Sequence, residues 1–162
     1  MRRLAAGGVA VDLPAGWDGQ IRTVEPSLAG PATASPADRR ASAATPSILH
    51  AASFALPAER GDYGSGAVEI MGGSDVLICL LEHEAEAAGT ALFAREGLPR
   101  LTPQQFSPQS MQRAIPGLAG TQHFFQLGGR PFCLYVVVGS WATRGPLVRT
   151  ADQVVRTIRL DG

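Results

Sequence analysis

Three histidines, two cysteines and a few carboxylates are the side chains of this 162-residue chain best suited to binding a metal or moving a proton. The histidines are His50, His83 and His123, and the cysteines are Cys79 and Cys133. None stands at ligand spacing: there is no Cys-x-x-Cys and no His-x-x-x-His. A zinc site needs three or four convergent ligands, so the pattern predicts no metal site. Glu82-His83-Glu84 offers a pair of carboxylates for acid–base work. Such work requires two environments that push the pKa values apart, and two glutamates at a strand end read instead as a solvated edge. His123 is a general-base candidate whose simpler role is to fill a cross-strand slot with one hydrogen bond. A nucleophilic serine belongs on a sharp Gly-x-Ser-x-Gly turn, and Gly64-Ser-Gly66 is too short for one. The surrounding Gly61–Gly66 cluster lacks the spacing of a nucleotide fingerprint. No catalytic residue, cofactor site or metal site is therefore expected. Arg39, Arg40 and Trp141 remain as possible partner contacts, while Trp17, Phe54, Phe93 and Phe106 read as core or rim.

The elements that would position these residues centre on Pro131-Phe-Cys-Leu-Tyr-Val-Val-Val-Gly139. Both alternating sets of this strand are apolar, which predicts cover on both faces. Thr121–Leu127 precedes it, and Gly128-Gly129 fits a two-residue hairpin turn. That turn sets Phe125 opposite Phe132, His123 opposite Leu134 and Phe124 opposite Cys133, and the hairpin is expected at the centre of the sheet. Asp75–Leu81 is also apolar on both faces and is its expected neighbour. Gly8–Leu13 and Gln20–Val24 read as an opening hairpin, with Trp17 folded back on the core. Ser47–Leu56 reads as a strand, Ala67–Met71 as a short strand or the end of a helix, and Ala85–Glu96 as helical but interrupted by Gly89. Thr102-Pro-Gln-Gln105 and Ser107-Pro108 carry N-cap and first-turn proline signals, predicting one or two short helical turns before Pro116-Gly117. Thr150-Ala-Asp-Gln153 is a further capping box, and Ala151, Val154, Val155 and Ile158 form one apolar stripe.

The bulk numbers exclude several classes. The chain is one ordinary domain long enough for a core without staples. It is 45% hydrophobic and 17% charged, with fourteen arginines, no lysine and zero formal net charge. No basic stripe extends beyond Arg2-Arg3 and Arg39-Arg40, so no nucleic-acid partner is expected. Neither a signal-peptide core nor a membrane span is legible, which predicts a cytoplasmic protein without membrane association. Buried free thiols are the expected state of the two cysteines. Residues 26–47 hold seven Ala, four Pro, four Ser and two Thr. With Leu28 their only large apolar side chain, they read as a mobile loop within the single domain 1–162.

Gly8-Val-Ala-Val-Asp-Leu-Pro-Ala-Gly-Trp17 resembles the opening strand and turn of the PsbP-like fold, typified by the photosystem II extrinsic subunit P. Phe132–Gly139 followed by Ala151–Leu160 is similar to that fold's last long strand, C-terminal helix and closing tail. His50–Pro57, Phe106–Pro108 and Gly129–Ser140 also resemble segments of small actinobacterial proteins. The resemblance implies an α/β/α sandwich serving as scaffold or binding module, and it carries over no catalytic residue. The expectation is thus an α+β domain, a central antiparallel sheet flanked by helices on both faces, acting as a non-catalytic interaction module with a protein partner. A small-molecule binder or enzyme, with a pocket between sheet and helices using His123, Glu82 or Tyr135, is the alternative. Self-association as a homo-oligomer is the third.

Overall fold

The computed structural model describes residues 1–23 and 46–161. Among these residues, eight strands form two antiparallel sheets. β1 (Arg2–Ala6), β2 (Val9–Leu13) and β8 (Arg159–Leu160) make a small sheet in the order β1-β2-β8. β3 (Asp18–Thr23), β4 (Ser47–Ala52), β5 (Val76–Glu82), β6 (Ala119–Leu127) and β7 (Arg130–Val138) make a large one, ordered β3-β4-β5-β7-β6. A single α-helix, α1 (Arg144–Val155), is present among the described residues.

The β6–β7 hairpin has the expected register: Phe125 pairs with Phe132, His123 with Leu134 and Phe124 with Cys133. Gly128 and Gly129 both hold positive φ, 59° and 78°, as the tight primed turn demands and as side chains with a Cβ resist. The Phe125 and Phe132 rings stack at 5.6 Å between centroids. β5 lies beside β7 as expected, with Leu81 opposite Cys133 and Cys79 opposite Tyr135. The hairpin is not central, however. β5 is the middle strand and β6 an edge.

The main core fills the space between one face of the large sheet, β2 and α1. Leu49, Ile78, Leu80, Phe132, Leu134 and Val136 meet Val9, Val11 and Leu13 from the small sheet and Val148, Ala151, Val154, Val155 and Ile158 from the C-terminal segment. The apolar stripe read from the sequence is therefore the packed face of α1. A 12-residue helix depends on such packing. It starts earlier than the Thr150 signal indicates: Thr150 is inside it, its hydroxyl donating to the Pro146 carbonyl at 3.2 Å.

Among the described residues no α-helix lies on the opposite face of the large sheet, which overturns the expected sheet with helices on both faces. Ile48, Ala52, Leu77, Cys79, Leu81, Cys133, Tyr135 and Val137 are instead covered by Ala67, Val68 and Leu118 and by half-buried Phe54, Leu56, Tyr63, Met71, Met111 and Ile115. The covering segments carry Pro57, Gly61, Gly64, Gly66, Pro108, Pro116 and Gly117, which break α-helix at short intervals. Only single 3-10 turns survive, at Val68–Ile70 and Pro108–Ser110 on these segments and at Ala85–Gly89, Ala91–Phe93 and Pro103–Gln105 elsewhere. The Thr102 box closes as expected, Gln105 Oε1 accepting from the Thr102 amide at 3.1 Å.

The opening hairpin is also differently partnered. β2 pairs with β1 and β8, and β3 pairs with β4, while Trp17 packs half-buried on the main core. Of the expected loop at 26–47, Ser47 already belongs to β4, and the rest up to Thr45, with Arg39 and Arg40, lies outside the described residues.

Candidate functional site

A row of mostly polar side chains crosses the helix-free face. Because side chains alternate along a strand, the observed registers place Gln20, His50, Cys79, Tyr135 and Gln122 in one row across all five strands of the large sheet. His50 is fully buried within it. Its Nε2 meets the Asp62 carbonyl at 2.8 Å, and Arg60 Nε donates to its Nδ1 at 3.0 Å. A guanidinium only donates, so Nδ1 is the acceptor and the proton sits on Nε2. Arg60 also donates to the Pro57 carbonyl and to the Gln20 side chain. Burial, with Arg60 and Arg22 nearby, holds the His50 pKa below its ordinary 6.5 despite the Asp62 carbonyl.

These bonds pin the 53–66 segment onto the sheet. Asp18 Oδ2 adds an acceptor for the Leu56 amide at 2.8 Å. Gly64 lies so close that a Cβ there would come within 2.6 Å of Leu77 and 3.3 Å of Cys79 Sγ. The pinned segment sets Tyr63 edge-on to Tyr135 at 5.6 Å and beside Cys133. Burial raises the Tyr63 phenol to about 12 and the Cys133 thiol to about 11, and pushes Cys79 up as well. Thiolates are the reactive form of cysteine. At neutral pH the centre of this face is thus a layer of neutral thiols, phenols and imidazole, held by bonds internal to the fold.

Among the described residues, a small cavity and a larger groove open on this face. The smaller, ≈ 50 Å³, lies between Tyr63, Val68, Gln112, Ile115 and Tyr135, and the Tyr135 hydroxyl there accepts from the Gln112 amide at 2.9 Å. The larger is an open groove of ≈ 480 Å³. Pro46, Ile48, Leu81 and Ala87 supply its apolar lining, and Asp62, Tyr63, Glu82, His83 and Glu84 its polar part. The His83 ring packs 5.1 Å from Phe93, and its Nε2 is buried with no hydrogen-bond partner among the described residues. By contrast, the space between the sheet and α1 is filled by core side chains. Comparisons with protein-family models, with curated proteins and with solved structures found no match.

The sequence-derived candidates are dispersed. Glu82 is not a solvated edge: its side chain is 11% exposed and paired with Arg130. Arg130 Nε and Nη2 meet the two carboxylate oxygens at 2.9 and 3.0 Å, a bidentate geometry that makes such bonds strong. Arg130 also donates to the carbonyls of Gly7, Gly8 and Asp161, and Glu82 accepts from the Ser47 amide at 3.0 Å. One arginine thereby staples the small sheet to the large one. Glu84, two residues on, is exposed.

His123 lies on the main-core face of β6, 3.1 Å from the Thr121 hydroxyl. Burial and then Arg95 lower its pKa. Trp141 is 37% exposed and stacks under Arg144, whose guanidinium carbon is 3.7 Å from the ring centroid. Cys79 and Cys133 are buried and unbridged, on neighbouring strands but two residues out of register. Among the described residues no group of three or more His, Cys, Asp or Glu side chains is placed to hold a metal ion, and no helix is long and apolar enough to cross a membrane.

Sequence reasoning misses the Arg60–His50–Asp62 link and the Arg130 staple. The staple has a signal: once Glu82 is paired with Phe132, Arg130 is its same-face diagonal neighbour, within reach of a long side chain. The Arg60 link has none, since its partners come from an irregular segment.

Proposed function

We propose that this protein is a non-catalytic interaction module that captures a segment of a protein partner on the helix-free face of its large sheet. The observation that carries this reading is the open ≈ 480 Å³ groove beside a segment fixed by His50, Arg60 and Asp18. A groove wall held in place binds without first paying the entropy of ordering itself. Of the nearby groups capable of proton transfer, His50, Tyr135 and Glu82 are each committed to a bond within the fold, which supports binding. His83 in the groove, its Nε2 without a hydrogen-bond partner among the described residues, is the group that turnover would have to use. Unbridged, buried Cys79 and Cys133 fit a reducing compartment, and we place the module in the cytoplasm.

Photo-crosslinking tests the proposal. A benzoyl-phenylalanine at Ala87, in the groove, is compared with one at Gln153 on α1 in extracts of the native source. Crosslinks to a discrete protein from position 87 and none from 153 support it. Crosslinks from 153 alone, or from neither position, contradict it. The groove volume also lies in the range of small-molecule sites, the second reading. A metabolite retained by the purified native protein and displaced by Ala87→Trp would favour that one.

A further inference from the structure

We propose that the segment the groove receives is an extended peptide in which a lysine or arginine stands next to a small apolar side chain. This rests on the interaction reading above and names the chemistry of its partner. The groove joins two kinds of surface. Its lining is apolar, from Ile48, Leu81 and Ala87, which suits one aliphatic anchor. Its rim is acidic: Asp62 and Glu84 lie in it, and Glu86 follows, exposed, on the turn Ala85–Gly89.

Not every carboxylate counts equally. Glu82 is neutralised by the bidentate Arg130. Asp62 is partly offset by Arg22, whose Nη2 is 3.9 Å away across a side chain 62% exposed. Glu84 has no ion-pair partner among the described residues and projects from the end of β5, where the chain leaves the sheet. With Arg60 of the same segment counted, the described charges around the groove, Asp62, Glu82, Glu84 and Glu86 against Arg22, Arg60 and Arg130, leave an excess of one negative charge in a chain whose formal charge is zero overall. A cationic group seated there gains from a field that repels acidic competitors, and that kind of complementarity governs selectivity and on-rate. Tyr63 adds an aromatic wall against which a guanidinium or ammonium can rest.

The test is calorimetric titration of the full chain with two synthetic decapeptides sharing the same valine and alanine positions. One carries lysine and arginine at the remaining positions and the other glutamate, and free argininamide serves as the small-molecule arm. The basic peptide is expected to bind, more weakly at high salt, while the acidic peptide and argininamide do not. Charge reversal at the exposed position, Glu84→Arg, should weaken binding by about tenfold or more. Filling the groove with Ala87→Trp should abolish it. Equal binding of both peptides, argininamide binding as tightly as the basic peptide, or binding unchanged in both variants would overturn the proposal. Absence of binding by the basic peptide while position 87 still crosslinks a partner would sink this recognition chemistry alone. Absence of both would sink the interaction reading with it.

Discussion

At the scale of single residues, the most informative group is His50. Its neutral tautomer is fixed by a donor-only guanidinium on Nδ1 and a carbonyl on Nε2, so a second proton has to expel Arg60. The sign of the linkage follows. The folded pKa is lowered, so the unfolded chain takes up the proton first. The stabilisation is complete above the ordinary value of 6.5 and is lost as pH falls from there towards the folded value. Denaturant unfolding between about pH 7.5 and 5 should show this decline, with a smaller share from half-buried His123. His50→Gln should flatten the decline and cost about 1–3 kcal/mol at neutral pH, because buried partners lose good geometry. A wild-type stability independent of pH over this range would contradict the assignment. The thiols give a second prediction at this scale. Buried and raised, Cys79 and Cys133 should resist a disulfide reagent at pH 8 in the native chain and react only as fast as the protein unfolds.

At the scale of elements, the Glu82–Arg130 staple and the Gly128-Gly129 turn decide how the sheets sit. Removing one partner of a buried pair leaves the other charge uncompensated, which costs about 3–5 kcal/mol. Glu82→Gln should approach the lower end, since Arg130 keeps its three carbonyl acceptors. Arg130→Met should raise amide exchange in β1, β2 and β8 more than in β5, and uniform exchange changes would contradict the stapling role. Gly128→Val, forcing a β-branched residue to φ near 59°, should cost about 1–3 kcal/mol, measured by thermal unfolding. The β6–β7 register is legible in the sequence because the glycine pair dictates the turn and the turn dictates every opposite pair. The partner of β2 is not, because its alternation of Val9, Val11 and Leu13 fits any strand that brings an apolar face. β1 is invisible in the sequence for a related reason: Arg2–Ala6 is exposed along most of its length and so shows no periodicity. The Thr150 capping signal misplaces the start of α1 because helix packing on the core, not the local box, sets where the helix begins.

At the scale of the whole molecule, the two faces of the large sheet are built differently. One is sealed by a helix and a second sheet into a continuous apolar core. The other is covered by glycine- and proline-broken segments that leave the polar row and the groove. Both-face burial of β5 and β7 is legible from their unbroken apolar runs, but what covers each face is not. Phe54, Leu56, Tyr63, Met71, Met111 and Ile115 reach the sheet from irregular backbone, where no period of 2 or 3.6 marks them. The polar row is hidden for the same reason that it matters: its members come from five strands and meet only through register.

Hydrogen exchange of the full chain, alone and with the partner crosslinked through position 87, tests most directly whether this face is the working surface. Slowed exchange at residues 47–50, 62–66 and 81–88, with α1 unchanged, is the predicted result. Slowed exchange on α1 and the small sheet, with those three segments unchanged, would contradict it.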